Sequence, residues 1–280
     1  MNIIDAIIYL VKNPVTELVT QYRVRNRANN AGAALEEYVK DLFANTFAMD
    51  ETHRLERISE VFSYLGNNSN PPDSMLRGGD AIEVKKIETP TAALALNSSY
   101  PKHKLLSSSS MISNSCRIAE KWTEKDIIYT VGVVNKANQL KHLCMVYGCD
   151  YCASDECYSR IKETIKQGVE SIDGIEFSDT KELGHVNRID PLGITYLRVR
   201  GMWGIENPWK TFSYIYTRDN SKQFTFMCII NKSKWETFSN AHELIRLASK
   251  MPSLKISDVR IKNPDNPAQI NDAKLVTFYL

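Results

Sequence analysis

Asp73, Glu83 and Lys85 are the residues of this chain whose types and spacing most readily suggest chemistry. They stand in the string Pro72-Asp73-Ser74-Met75-Leu76-Arg77-Gly78-Gly79-Asp80-Ala81-Ile82-Glu83-Val84-Lys85, an acidic residue and a short spacer followed by Glu-x-Lys on an apolar strand. Two carboxylates supply the hard oxygen ligands that Mg²⁺ prefers while leaving positions for water and a phosphate oxygen. Side chains two apart on a strand share a face, so Lys85 emerges beside Glu83. There an ammonium can orient or deprotonate a water and offset developing charge. The set suits metal-dependent hydrolysis of a phosphodiester. Glu-x-Lys alone is common on the solvated face of ordinary strands. The preceding Pro72-Asp73, the tight Gly78-Gly79 turn and the flanking apolar residues single this copy out. Asp80 is a rival first carboxylate, but turn chemistry accounts for its position, and Asp73 is favoured.

Positioning these groups requires a hairpin. Residues 73–77 form one limb, Gly78-Gly79-Asp80 the turn and residues 81–88 the other limb. Ile82 and Val84 then face one side of the sheet, and Ala81, Glu83, Lys85 and Ile87 the other. Upstream, the pattern predicts an amphipathic helix over residues 1–11, a second over 31–47 with Leu35, Val39, Leu42 and Phe43 at helical spacing, and a charged surface helix over 51–60. The Asn- and Pro-rich connector 65–72 delivers the chain to Asp73 in extended form. Residues 96–110 read as a polar, basic, flexible linker whose lysines can touch phosphates. A helix over about 111–125 and strands over 127–134 and 140–148 follow, then a helix to about 171 capped by Ser154 or Asp155. Further strands are expected over 194–200, 211–217 and 223–230, a helix over 232–250, and final strands over 254–261 and 274–280. The order predicts an α/β fold with a mixed β-sheet flanked by helices. We expect a single domain over 1–280, with a catalytic core over about 31–150 and a β-rich elaboration for recognition over about 185–230.

At 280 residues, 43% hydrophobic and 24% charged, the chain has the composition of a globular protein with a substantial core. Its formal net charge of +2 announces no global basic field, although lysines and arginines can still concentrate in one cleft. The N-terminus lacks a basic leader and a small-residue cleavage site, and no apolar run approaches the ~20 residues of a membrane span. A cytoplasmic location is the expectation. Four of the six cysteines, Cys144, Cys149, Cys152 and Cys157, crowd together and invite a zinc reading. Their spacing argues against it, because Cys144 lies in an apolar run and a second ligand pair usually comes from a separate segment. His103 and His185 pair with no nucleophilic Ser or Cys, and no Walker-type phosphate loop is present. Thiol catalysis and nucleotide hydrolysis therefore lack their parts.

Pro72-Asp73 and Glu83-Val84-Lys85 resemble the two motif halves of the PD-D/E-x-K nuclease superfamily. Longer strings, NNSNPPDSMLRGGDAIEVKKIE, ALALNSSYPKHKL and YLRVRGMWGIENPW, resemble the NgoPII-type family of type II restriction endonucleases, over most of the chain from about residue 31. The resemblance implies a PD-D/E-x-K core and a homodimeric, Mg²⁺-dependent enzyme, with Mn²⁺ as a substitute. Such an enzyme cuts both strands of double-stranded DNA at a short palindrome, GGCC, leaves 5′-phosphate ends, and is paired functionally with a DNA methyltransferase. It also implies a glutamate from the helix ahead of the hairpin, which Gly32-Ala33-Ala34-Leu35-Glu36 resembles. Glu36 is thus an accessory candidate, against an exposed Glu36–Lys40 helix pair; Glu37 is less favoured.

For a G/C site, Arg or Lys bidentate to guanine in the major groove is the direct solution. Arg198 and Arg200 alternate on a predicted strand beside Trp203 and Asn207, making a base-reading surface, against the plainer reading of solvated arginines on an exposed strand. Backbone contacts are expected from Ser98, Ser99, Lys102 and Lys104. The stretch containing Arg23, Arg25, Arg27, Asn29 and Asn30 reads as a phosphate clamp or as solvated loop. The alternatives are a structure- or damage-directed repair nuclease on the same core, and a non-catalytic DNA-binding protein.

Overall fold

The computed structural model describes residues 1–18, 22, 31–67, 69–174, 176–178, 180 and 182–280. The 23–30 stretch with its arginines lies outside the described residues. Helices α1 (Ile3–Lys12), α2 (Ala31–Ala44) and α3 (Glu51–Val61) open the chain. The first begins where Asn2 accepts from the Ile4 and Asp5 amides and Asp5 accepts from the Asn2 amide, a reciprocal cap. Strands β1 (Phe62–Tyr64), β2 (Ser74–Leu76), β3 (Ala81–Ile87), β4 (Leu94–Asn97) and β5 (Lys104–Leu106) follow. After α4 (Asn114–Ile118) come β6 (Glu124–Val134) and β7 (Leu140–Tyr147), then α5 (Gly148–Tyr151) and α6 (Asp155–Glu170). The remainder holds β8 (Glu176–Phe177), β9 (Gly184–Asn187), β10 (Leu197–Val199), β11 (Trp203–Ile205), α7 (Pro208–Thr211), β12 (Thr225–Asn231), α8 (Lys232–Trp235), α9 (Ala241–Ala248), β13 (Leu254–Lys262) and β14 (Ile270–Tyr279).

The central sheet is mixed and runs in the order β1-β2-β3-β6-β7-β12-β14-β13, with β5 paired to part of β6. Pairings β3–β6 and β7–β12 are parallel and the others antiparallel. β6, β7 and β12 are buried almost throughout because both faces of the sheet are covered, which is why they read as near-continuous apolar runs. Ile82 and Val84 pack into the core shared with α1 and α2, whereas Ala81 and Ile87 pack into a second core with Leu96, Trp209 and Phe212. The alternation expected for β3 therefore holds, and Glu83 and Lys85 stand on the second face.

Several expectations differ from the structure for local physical reasons. The helix expected over 111–125 is only α4, because pairing of Glu124 and Lys125 with β5 draws them into β6. The expected strand over 211–217 is the end of α7 followed by turns. Asn207 caps that helix and Pro208 occupies its first position, a start signal that outweighs the β-branched residues nearby. The helix expected over 232–250 breaks into α8 and α9. The 96–110 segment is no plain linker: Leu96 and Leu105 are buried and anchor β4 and β5. β12, assigned above to the recognition elaboration, lies inside the central sheet. Among the described residues no helix is long and apolar enough to cross a membrane.

Candidate active site

The hairpin delivers its two carboxylates side by side. Ser74 pairs with Ile82 and Met75 with Ala81, and continuing that antiparallel register sets Asp73 opposite Glu83. Asp73 lies just beyond the β2 ladder, where the Val84 amide has no strand partner on that side. Its Oδ2 accepts that amide at 2.6 Å, so the side chain takes over where the backbone pairing stops. The approach to Asp73 depends on Gly66. This residue has φ +76°, and a Cβ there would collide with the Asp73 carbonyl.

Lys85 Nζ lies 2.6 Å from Glu83 Oε1. Asp73, Glu83 and Lys85 line one cavity of about 170 Å³ together with Asn67, Asn70, Ser98, Ser99, Tyr100, Lys102 and Tyr129. Burial pushes the Glu83 carboxyl up to about 7, with the Asp73 charge adding to the shift and Lys85 opposing it. Asp73 is also held above the ordinary carboxylate range by burial, against Lys85 and the Val84 amide. Burial acts to lower Lys85, but the charges of Glu83, Asp73 and Glu36 outweigh it and leave the ammonium more firmly protonated. Glu36, on α2, is raised by burial and then by Asp73. It is half-buried and feels both Asp73 and Lys85, so the helix ahead of the hairpin does bring a carboxylate toward the pair. Glu37 is instead committed to Lys40 (2.7 Å) and Arg54 (2.5 Å).

These carboxylates repel one another at a buried site where the neighbouring lysines neutralise only part of their charge. A bound divalent cation would relieve that repulsion. Glu83 Oε2 is buried and, although the Asp73 amide faces the carboxyl and favours its charged form, this oxygen makes no hydrogen bond. An orphaned carboxylate oxygen beside a second carboxylate, in a cavity with room for water, fits the donor set of a hard cation. No group of three or more His, Cys, Asp or Glu side chains gathers to hold a metal among the described residues. The fit is thus to an ion that keeps most of its ligands as water and substrate oxygens.

Asp80 occupies a different place. It is buried, accepts from Tyr147 Oη at 2.7 Å, and pairs with Lys234 at 2.8 Å. Lys234 in turn reaches Asp126 at 2.7 Å. Asp80 fastens the hairpin turn to β7 and α8 and does not line the cavity. The four crowded cysteines are all free thiols. Cys144 is buried in β7, Cys152 is buried, Cys149 is half-buried and Cys157 is exposed on α6.

The expected DNA-contacting residues do not share one surface. Ser98, Ser99 and Lys102 line the cavity itself, whereas Lys104 is turned away to Glu124 (2.8 Å) and Asp126 (3.8 Å). The expected strand over 194–200 is only β10, so Arg198 stands on the small β10-β9-β8 sheet and Arg200 just past its end, and both close on one acceptor. Arg198 bonds Glu182 through Nε (3.0 Å) and Nη2 (2.7 Å), and Arg200 reaches the same carboxylate at 2.7 Å. Trp203 is half-buried on β11, edge-on to Tyr100 and Tyr158. Asn207 is a correction. It is fully buried, donates to the Pro90 and Ala92 carbonyls, and accepts from the Lys210 amide, so it caps α7 and has no surface to offer DNA.

Tyr129 escaped the sequence reading because it looks like any aromatic in an apolar strand. It lies in register beside Glu83, and its hydroxyl accepts the Lys102 amide at 2.6 Å, tying β6, the neighbour of β3, to the 98–102 segment. Gly148 serves the same junction from the other side: a Cβ there would run into the backbone carbonyls of Lys102 and His103.

The family model for the NgoPII restriction endonuclease matches residues 1–262. A curated relative, the type II restriction enzyme NgoPII of Neisseria gonorrhoeae, is 62% identical over 280 residues, covering 100% of both chains. No solved structure matches significantly.

Proposed function

Since this chain belongs to the NgoPII restriction endonuclease family and is a type II restriction enzyme, a site-specific deoxyribonuclease, we propose that it cleaves DNA by Mg²⁺-dependent hydrolysis at the Asp73–Glu83–Lys85 cavity, on a PD-D/E-x-K core. The observation that carries this reading is the orphaned Glu83 Oε2 beside Asp73, with Lys85 on the same strand face. Asp73 and Glu83 are the residues that would hold Mg²⁺, or Mn²⁺ in its place; when bound, the ion would polarise the phosphate and acidify a water.

The remaining work falls to this chain's own groups. Lys85, kept protonated by Glu83 and Asp73, donates a hydrogen bond that orients the attacking water and offsets charge gathering on the phosphate. Glu36, raised by burial and then by Asp73, accepts from that water on the α2 side. The buried walls of Tyr129, Ile127 and Leu96 exclude bulk solvent and so strengthen each of these interactions. Water adds to phosphorus as the P–O3′ bond breaks and the 3′ oxygen leaves to take a proton, so the ends carry a 5′-phosphate and a 3′-hydroxyl.

A palindromic site, GGCC in this reading, calls for a homodimer presenting two such cavities, and a DNA methyltransferase protects the host's own sites. Arg198 and Arg200 read guanine once Glu182 yields them, with Trp203 supporting that surface, while Ser98, Ser99 and Lys102 meet the backbone. The unit is one endonuclease domain whose catalytic elements fall within about 31–150. Family membership leaves the repair-nuclease and non-catalytic readings without support.

The test is digestion of plasmid DNA. Discrete bands are expected with Mg²⁺ and none with EDTA, and sequencing of the ends gives site and cut position together. Lys85→Ala should bind the cognate duplex and fail to cut it. Normal cutting by that variant would exclude the assigned role.

A further inference from the structure

Three buried polar atoms on residues lining the cavity lack any hydrogen-bond partner: Glu83 Oε2, Ser99 Oγ and Lys102 Nζ. Their chemistry is complementary. The first is an anionic acceptor suited to a cation, whereas the other two are a hydroxyl donor and an ammonium suited to an oxyanion. Leaving a lysine ammonium 3% exposed with no hydrogen-bonded anion is costly; burial pulls Lys102 down to about 8, against the charges of Asp155 and Glu83. Lys85, by contrast, is already paired with Glu83. Lys102 is therefore the lysine of this cavity that can accept an anion without breaking an ion pair.

The structure holds Lys102 in that place deliberately. Its amide donates to Tyr129 Oη, and Tyr129 is the register partner of Glu83. The backbone at residues 102 and 103 is seated against Gly148. The ammonium lies 3.5 Å from the centroid of the Tyr100 ring, a contact that steadies a cation without neutralising it. Tyr100 is in turn boxed by Tyr158 and Trp203.

We propose that Lys102, assisted by Ser99, binds the phosphate undergoing cleavage and is a catalytic residue of this enzyme, distinct from lysines that contact the DNA backbone elsewhere. Lys102 Nζ and Ser99 Oγ donate to non-bridging oxygens of the scissile phosphodiester, across the cavity from the carboxylates. This inference rests on the cavity being the cleavage site proposed above.

The experiment combines single-turnover cleavage with binding of the cognate duplex in Ca²⁺. Lys102→Met keeps the aliphatic stem over Tyr100 and removes the charge. It should lower the single-turnover rate by roughly 10²–10³-fold while weakening duplex binding less than tenfold, and Ser99→Ala should lower the rate about tenfold. A duplex carrying a neutral methylphosphonate at the scissile position identifies the contact directly. It should bind wild type more weakly than the normal duplex does, and that difference should shrink in Lys102→Met, with Ser99 and the cation carrying the remainder. If Lys102→Met melts well below wild type, the same cycle is read with Ser99→Ala.

Cleavage by Lys102→Met within threefold of wild type overturns the inference. So does a methylphosphonate effect that shrinks only when the modification sits at a neighbouring phosphate. Failure of wild type itself to cut DNA, or normal cutting by Lys85→Ala, would instead remove the underlying assignment of the cavity.

Discussion

The side chain of Asp73 accepts the backbone amide of Val84, the residue between Glu83 and Lys85, at 2.6 Å. One oxygen of the first carboxylate is thereby spent on fixing the strand that carries the other two groups, and its second oxygen is left for the cavity. Geometry and charge are thus separable at this residue.

Asp73→Asn keeps an acceptor for Val84 and removes the charge, whereas Asp73→Ala removes both. Both variants should lose at least about 10³-fold in cleavage. Only Asp73→Ala should also lose stability, by about 1–2 kcal/mol for the buried amide left without a partner. Urea unfolding beside a cleavage assay separates the two effects; equal melting of the variants would show that the Val84 bond carries no weight.

Glu83 supplies a pH dependence with a definite sign. Burial, with the Asp73 charge adding, pushes its carboxyl up to about 7, so the folded state holds this proton more tightly than the unfolded chain. Above pH 7 the buried carboxylate is ionised and costs stability. That cost fades as the pH falls from about 7 toward 4.5, and it is capped at about 3 kcal/mol. Without divalent ions, Glu83→Gln should therefore melt higher than wild type at pH 8 and much like it at pH 4.5, while cutting no DNA. Because binding a cation requires the ionised form, the Mg²⁺ concentration for half-maximal cleavage should climb as the pH drops below 7. A flat Mg²⁺ requirement between pH 6 and 8 would contradict Glu83 as a ligand.

Asp80 is expected to behave as a structural residue. Asp80→Asn leaves Lys234 facing Asp126 alone and weakens the Tyr147 bond, at a cost of about 2–3 kcal/mol for a largely buried network. Cleavage per folded molecule should remain close to wild type below the melting range. A variant that stays folded yet is inactive would return Asp80 to the list of ligands.

Arg198 and Arg200 share Glu182, so DNA must displace a carboxylate before either arginine can read a base. Glu182→Gln should tighten binding to non-cognate DNA more than to the cognate site, narrowing the ratio between them, while Arg198→Ala with Arg200→Ala should weaken the cognate complex selectively. Parallel losses on all sequences in the double variant, with a shallower salt dependence, would mark the arginines as phosphate contacts instead.

The hairpin, the face on which Glu83 and Lys85 stand, the helix that brings Glu36 and most of the sheet strands were legible in the sequence because period-two and helical patterns are local. What could not be read was set by distant partners. Lys102 and Lys104 look alike in the string Lys102-His103-Lys104, yet Tyr129 and Gly148 bind the first into the cavity, while Glu124 and Asp126 draw the second away. Asn207 beside Trp203 and Trp209 resembled a recognition loop until the carbonyls of Pro90 and Ala92, more than a hundred residues earlier, claimed its amide. Arg198 and Arg200 were read as alternating on one strand, but the strand ends at Val199 and it is Glu182, sixteen or more residues earlier, that draws both together.

The bare Cα of Gly148 gives the cavity its gauge. With no side chain interposed, the segment carrying Ser98 to Lys102 presses directly on the start of α5, and Tyr129 on the adjoining strand sets the remaining distance to Glu83. The span between the acidic and basic walls is therefore dictated by two contacts inside the protein body, and neither contact touches DNA. A single methyl group added at position 148 would force the carbonyls of Lys102 and His103 to shift without altering any side chain that lines the cavity. The width of the cavity is inherited from the packing of the sheet.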